Sequence, residues 1–134
     1  MHDNDALVRA FLAAWEGRDS AFILDHLTDD AVYHAVPLDP IVGKAALRAW
    51  VEGFAAVPPG RLEIRNQTAT GDVVMNERTD RITIEGRVVT LPICAVFELR
   101  HGRISAWREY FDLAGLRREL RGPAKDPAPS AGGP

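Results

Sequence analysis

Val73-Val74-Met75-Asn76-Glu77-Arg78-Thr79-Asp80-Arg81-Ile82 reads as a β-strand with charges where a core residue belongs. Strand side chains alternate between two faces. Asn76, Arg78 and Asp80 therefore share one face. A second stretch, Ile104-Ser105-Ala106-Trp107-Arg108-Glu109-Tyr110-Phe111-Asp112, reads the same way and sets Arg108, Tyr110 and Asp112 together. If both faces line one pocket, two carboxyl groups and a guanidinium converge there. Two carboxyls of different pKa around a small ligand are the means for push–pull acid–base chemistry.

Working outward, the stretches 61–70, 73–84, 87–99 and 103–111 alternate in the manner of strands. They are joined by Thr70-Gly71-Asp72, Glu85-Gly86 and His101-Gly102, short links with turn chemistry. The half before Pro58-Pro59-Gly60 is different. Leu7, Val8, Phe11, Leu12 and Trp15 recur at helical spacing after a cap at Asn4 or Asp5. A short helix follows from Ser20 to Leu27, then an extended run Ala31–Val36. Pro37, Pro40 and Gly43 punctuate a loop, and a third helix spans Lys44–Phe54 with Leu47, Trp50, Val51 and Phe54 on one face. A last short helix is expected over 113–121. Helices followed by an antiparallel meander define an α+β domain, a curved sheet wrapped on helices. Residues 1–121 are expected to form one domain, and 122–134, rich in Pro, Ala and Gly, a disordered tail.

Composition excludes several classes. A net charge of −3 leaves no basic footprint for nucleic acid. The single Cys94 precludes an intrachain disulfide and suits a reducing compartment. His and Cys show no metal-ligand spacing. No apolar run approaches the roughly 20 residues of a membrane span, and the acidic start Met1-His2-Asp3-Asn4-Asp5 does not read as a signal peptide. A cytoplasmic protein without a cofactor is expected.

Each residue also has a plainer reading. Arg78-Thr79-Asp80 alone is most often a solvated strand face. Asp112 could equally cap a helix starting at Leu113. Tyr33 alone reads as a core or rim aromatic, His34 as structural or exposed, and Cys94 as inert packing in an apolar strand. Trp15, Trp50 and Trp107 read as core.

Taken jointly, these segments resemble a known family. Val32-Tyr33-His34 with Pro37-Leu38 and Gly43, then Glu77-Arg78-Thr79-Asp80, then Trp107 to Asp112, preceded by Ala95-Val96-Phe97-Glu98-Leu99 and Gly102-Arg103-Ile104, are similar to the limonene-1,2-epoxide hydrolases of the NTF2-like (SnoaL-like) superfamily. The resemblance covers roughly residues 4–120. It implies a cone-shaped NTF2-like fold, with N-terminal helices packed on a curved, mixed, mainly antiparallel sheet around a deep apolar pocket. It implies a homodimer and cofactor-free addition of water to an apolar epoxide.

By resemblance, Asp112 is the general base, Asp80 the general acid, Arg78 the bridge and Tyr33 part of the water site. The family's Asn two residues after that Tyr is replaced by Ala35. His34, Asn76 or a second water would then hold the nucleophile. Both acids are Asp, with a reference pKa of about 3.9. A guanidinium between two buried carboxyls stabilises one charge and leaves the other protonated. Substrate walls are expected from Phe11, His34, Leu38, Trp50, Phe54, Met75, Asn76, Ile82, Leu91, Ile93 and Phe97. Two other readings stay open: an isomerase or polyketide-cyclase-like enzyme using the same carboxylate on a carbon acid, and a non-catalytic ligand-binding or dimerisation domain. Fold alone does not separate them.

Overall fold

A computed structural model describes residues 3–122. The expected tail lies outside the described residues, except for Gly122, which ends the last helix. Two helices, α1 (Asn4–Glu16) and α2 (Ser20–Asp25), precede β1 (Leu27–Val36) and β2 (Ile41–Val42), and a third, α3 (Lys44–Phe54), follows them. The meander β3 (Arg61–Thr70), β4 (Val73–Ile84), β5 (Arg87–Arg100) and β6 (Arg103–Tyr110) follows, and α4 (Leu113–Arg121) closes the order. The fold is α+β, and the helical spacing and turn signals explain most of its boundaries. The first cap sits one residue earlier than the sequence suggested. Asp3 accepts from the Ala6 N–H at 3.0 Å, because a cap needs a side chain one position outside the first helical residue.

The six strands form one mixed sheet in the order β2-β1-β6-β5-β4-β3. The meander pairs antiparallel, whereas β1 lies parallel to β6. Register shifts interrupt the pairing between Ile64 and Asn66 on β3 and between Glu98 and Leu99 on β5. An irregularity of this kind bends a strand and raises its twist. The sheet curls, and its concave face receives α1 on β3 and β4, and α3 on β1.

Aromatic packing fills the narrow end of this concavity. Phe11 meets Trp107 edge-on at 5.2 Å, and Phe97 stacks on Trp107 at 5.6 Å. Toward the wider end, Trp15 packs on Trp50 and Phe54, and Trp50 stacks on Tyr33 at 4.4 Å. Aromatic pairs of this geometry add about 0.5–1.5 kcal/mol each beyond their buried area.

Alternation is regular along β4 and along β6 beyond the irregularity at Ser105. Along β4, Val74, Asn76, Arg78 and Asp80 are buried, while Val73, Met75 and Glu77 are exposed. Along β6, Ile104, Trp107 and Glu109 are buried and Tyr110 is exposed. Among the described residues, no helix is long and apolar enough to cross a membrane.

Candidate active site

Strand register carries the site. One row across the sheet reads Ala35, Glu109, Ala95, Asn76, Gln67, and the row beside it pairs Ile93 with Arg78 and Arg78 with Ile64. Neighbouring strands lie about 4.8 Å apart, so the backbones of Arg78 on β4 and Glu109 on β6 are roughly 10 Å apart. Two long side chains close that gap, passing over the small Ala95 on β5. Arg78 is 1% exposed and is the largest fully buried side chain of the described residues.

Its guanidinium is a hub. Nε donates to Asp80 Oδ1 at 2.9 Å and Nη2 to Asp80 Oδ2 at 2.8 Å, a bidentate pair. Nη2 also donates to Glu109 Oε2 in a short contact. The other oxygen, Glu109 Oε1, accepts from the Tyr33 hydroxyl at 2.6 Å. Behind the hub, Arg78 Nη1 reaches Asn76 Oδ1 at 3.5 Å, Asn76 donates to Gln67 at 3.0 Å, and Gln67 donates to Asp5 at 2.8 Å. This chain of amides fixes the guanidinium's rotation from the rear.

Electrostatics acts strongly on three of these buried groups. Burial pushes the Asp80 carboxyl up, which the hydrogen bond and charge of Arg78 only partly counter; the charges of Glu109 and Glu16 push it further up. Burial works against the Arg78 cation, but its hydrogen bond to Asp80 and the charges of Glu109 and Asp80 outweigh it, and the group stays charged. Burial first, then the charge of Glu109, raises the Tyr33 phenol, so it remains a donor. Glu109 accepts at both oxygens, one from Tyr33 and one from Arg78.

Tyr33, Asp80 and Glu109 open onto one cavity of about 250 Å³ with mainly apolar walls. Leu38, Trp50, Phe54, Ile82, Leu91 and Ile93 line it. The remaining expected wall residues lie elsewhere. Phe11 and Phe97 are fully enclosed in the aromatic core. Met75 is 49% exposed on the convex face, because it alternates with Val74 and Asn76. His34 pairs with Arg108 in register and is absent from the lining. Asn76 sits behind Arg78. Ala35 does line the cavity, so neither side chain expected to replace the missing amide reaches it. Cys94 is exposed, which corrects the reading of it as packing; it alternates with Ile93 and Ala95, which face inward.

The main departure concerns Asp112. Its carboxylate accepts from the Gly115 N–H at 2.9 Å and caps α4, and the residue is exposed. A Cβ at position 115 would lie 2.4 Å from that carboxylate, so Gly115 belongs to the cap. Asp112 is three residues from Glu109 and beyond the end of β6, where alternation no longer governs direction. The second carboxyl of the cluster is Glu109. One sequence signal pointed to it: Trp107 reads as core, and Glu109, two residues on, shares its face. Among the described residues no group of three His, Cys, Asp or Glu is placed to hold a metal ion.

A curled mixed sheet with helices in its concavity is the fold of NTF2-like proteins. An NTF2-like protein of unknown function from Burkholderia pseudomallei K96243 superposes with a TM-score of 0.79 at 22% identity, covering 91% of this chain and 100% of the other. The limonene-1,2-epoxide hydrolase catalytic domain matches residues 2–121. The chain belongs to that family, which makes it an epoxide hydrolase-type enzyme. Epoxide hydrolase EphG of Mycobacterium tuberculosis H37Rv is 34% identical over 113 residues, 84% of this chain and 76% of EphG. A solved M. tuberculosis LEH-like epoxide hydrolase is 34% identical with a TM-score of 0.77, covering 86% of this chain and 90% of that one.

Proposed function

We propose that this enzyme opens an apolar epoxide by direct attack of water, with Glu109 as general base and Asp80 as general acid. The observation that carries this reading is one guanidinium bonded to two carboxyls, both of which face the same apolar cavity. Glu109 takes a proton from water as the water oxygen bonds to an epoxide carbon. The carbon–oxygen bond breaks, and Asp80 passes its proton to the leaving oxygen. The product is a vicinal diol, with Glu109 protonated and Asp80 ionised. Return of one proton from Glu109 to Asp80, through solvent, resets the pair.

Arg78 keeps the two carboxyls at fixed separation and holds a single negative charge between them; its planar fork suits that duty better than a lysine ammonium. Tyr33 orients Glu109 by donating to the oxygen that Arg78 does not take. With Ala35 at the position of the missing amide, water is held by Glu109 and Tyr33. General acid–base assistance of this kind contributes about 10²–10⁴-fold per group. No serine or cysteine nucleophile is required, because the ring strain of an epoxide permits one-step opening.

The test is turnover of limonene oxide, cyclohexene oxide and styrene oxide in oxygen-18 water. Label in the diol and none in the protein is expected. Glu109→Gln should lower kcat at least about 100-fold with the circular dichroism spectrum unchanged. Full activity in Glu109→Gln would remove that residue from the mechanism. A homodimer, as the resemblance implies, would cover exposed apolar side chains of the convex sheet face such as Met75 and Tyr110. Light scattering of wild type beside Met75→Glu tests it. A cytoplasmic location, in keeping with the single unpaired Cys94, is testable by fractionation.

A further inference from the structure

Two charged residues at the end of α1, Glu16 and Arg18, line the same cavity but take no part in the cluster around Arg78. They are placed differently. Glu16 Oε2 accepts from the Leu62 N–H at 2.6 Å, and Leu62 lies directly opposite Asp80 in the β3–β4 register. Glu16 is thus on the inner side, beside the proposed acid. Arg18 is held toward solvent. Its Nε donates to the Val57 carbonyl at 3.2 Å, its Nη1 to the Trp15 carbonyl at 2.9 Å and its Nη2 to the Pro58 carbonyl at the surface. The guanidinium lies 4.7 Å over the Phe54 ring.

Every one of these partners is a neutral carbonyl or a ring face. No carboxylate lies within ion-pair reach of Arg18 among the described residues. A guanidinium has five N–H donors; three are used here, and one on each terminal nitrogen remains. The residue takes a left-handed backbone conformation, φ 58°, which side chains other than Gly rarely adopt. The result is a cation that is half-buried, held rigid by three carbonyls and left without a counter-charge at the edge of an apolar cavity.

We propose that Arg18 is an anchor for an anionic group on the substrate, so that the enzyme selects apolar epoxides that carry a carboxylate. This deepens the epoxide-hydrolase reading and rests on it for the reaction, though not for the binding. The charge layout also orients such a molecule. Glu16 and Glu109 disfavour an anion at the inner end, whereas Arg18 favours one at the outer end. The epoxide enters first and the carboxylate stays at the rim. Because the guanidinium is already ordered, the ligand contact loses little side-chain entropy on forming.

The experiment uses decanoate, and decanol as its neutral counterpart, as calorimetric ligands of the full chain and as competitive inhibitors of cyclohexene oxide hydrolysis. Hydrogen bonds to a charged group contribute about 1.5–3 kcal/mol, roughly ten- to hundredfold in Kd. Wild type is expected to bind decanoate about tenfold or more tightly than decanol. Arg18→Gln should erase that difference while decanol affinity is retained; Arg18→Lys should restore part of it. For a medium-chain epoxy acid, Arg18→Gln should raise KM and leave kcat unchanged, the mark of lost uniform binding. Equal affinities for decanoate and decanol in wild type would overturn the proposal, as would an Arg18→Gln protein that loses both ligands alike, which would make Arg18 a tether of the 57–58 loop. Selective decanoate binding in a protein that opens no epoxide would leave the anchor standing and remove the proposed reaction.

Discussion

Two arginine–carboxylate clusters sit on opposite faces of the same sheet, their β6 members adjacent in sequence. On the convex face Arg108 pairs with Glu98 at 2.7 Å, and both side chains are about a third or more exposed. On the concave face Arg78 holds Asp80 and Glu109 almost out of reach of solvent. The chemistry of the groups is the same. Water screens the outer pair, which therefore contributes little. The inner groups have lost their water, so each depends on the others, and burial pushes the Asp80 carboxyl up. Dielectric surroundings, set by strand parity, turn a common ion pair into a candidate acid–base device.

Breaking the inner cluster at its centre should have the largest effect. Arg78→Leu leaves two buried carboxyls without their cation, and removal of one partner from a buried pair typically costs about 3–5 kcal/mol. Chemical denaturation should show that loss, together with no measurable diol.

Asp80→Asn comes next. It should lower kcat about 100-fold or more while the fold persists. It should also change how stability depends on pH. The folded chain holds the Asp80 proton more tightly than the unfolded chain does. Its contribution to stability is therefore full below the ordinary aspartate range, and is lost as pH rises from there through the raised folded value. Urea midpoints of wild type and Asp80→Asn compared across pH should diverge over that interval. Wild-type activity should decline along the same limb, since the acid must be protonated to act.

Asp112→Ala sharpens the comparison from the other side. Loss of an N-cap costs about 1 kcal/mol, so the thermal midpoint should fall, yet kcat should stay within about twofold if Glu109 is the base. A hundredfold loss of kcat would return that role to Asp112. The smallest effect belongs to the convex face. Arg108→Ala should change stability by less than about 1 kcal/mol and leave turnover unaltered.

Element boundaries were legible because their signals are local. Lys44–Phe54 and Val73–Ile84 match their hydrophobic periods and turn residues, and the grouping of Asn76, Arg78 and Asp80 follows from parity within one strand. The parity of β6 is where the sequence reading goes wrong: it turns Arg108, Tyr110 and Asp112 toward the pocket, whereas Trp107 and Glu109 face inward. A second error is the step past the strand's end. Asp112 follows Phe111 into a helix cap, where period two no longer applies, and Met75 was placed on the wrong face of its own strand.

Local rules act over a few bonds, so the sequence alone determined the helices, the meander, the residue types of the site and the family likeness. Which carboxyl meets Arg78 depends on something else. Glu109 and Arg78 are 31 residues apart and on strands that do not touch, and they meet only because β5 lies between them with Ala95 in the gap and the sheet curls. The same holds for Arg18, two of whose carbonyl partners, Val57 and Pro58, lie just past the end of α3. Burial, register across three strands and the shape of the cavity are properties of the assembled sheet. They set the dielectric and the distances on which the chemistry depends, and the tertiary structure decided them.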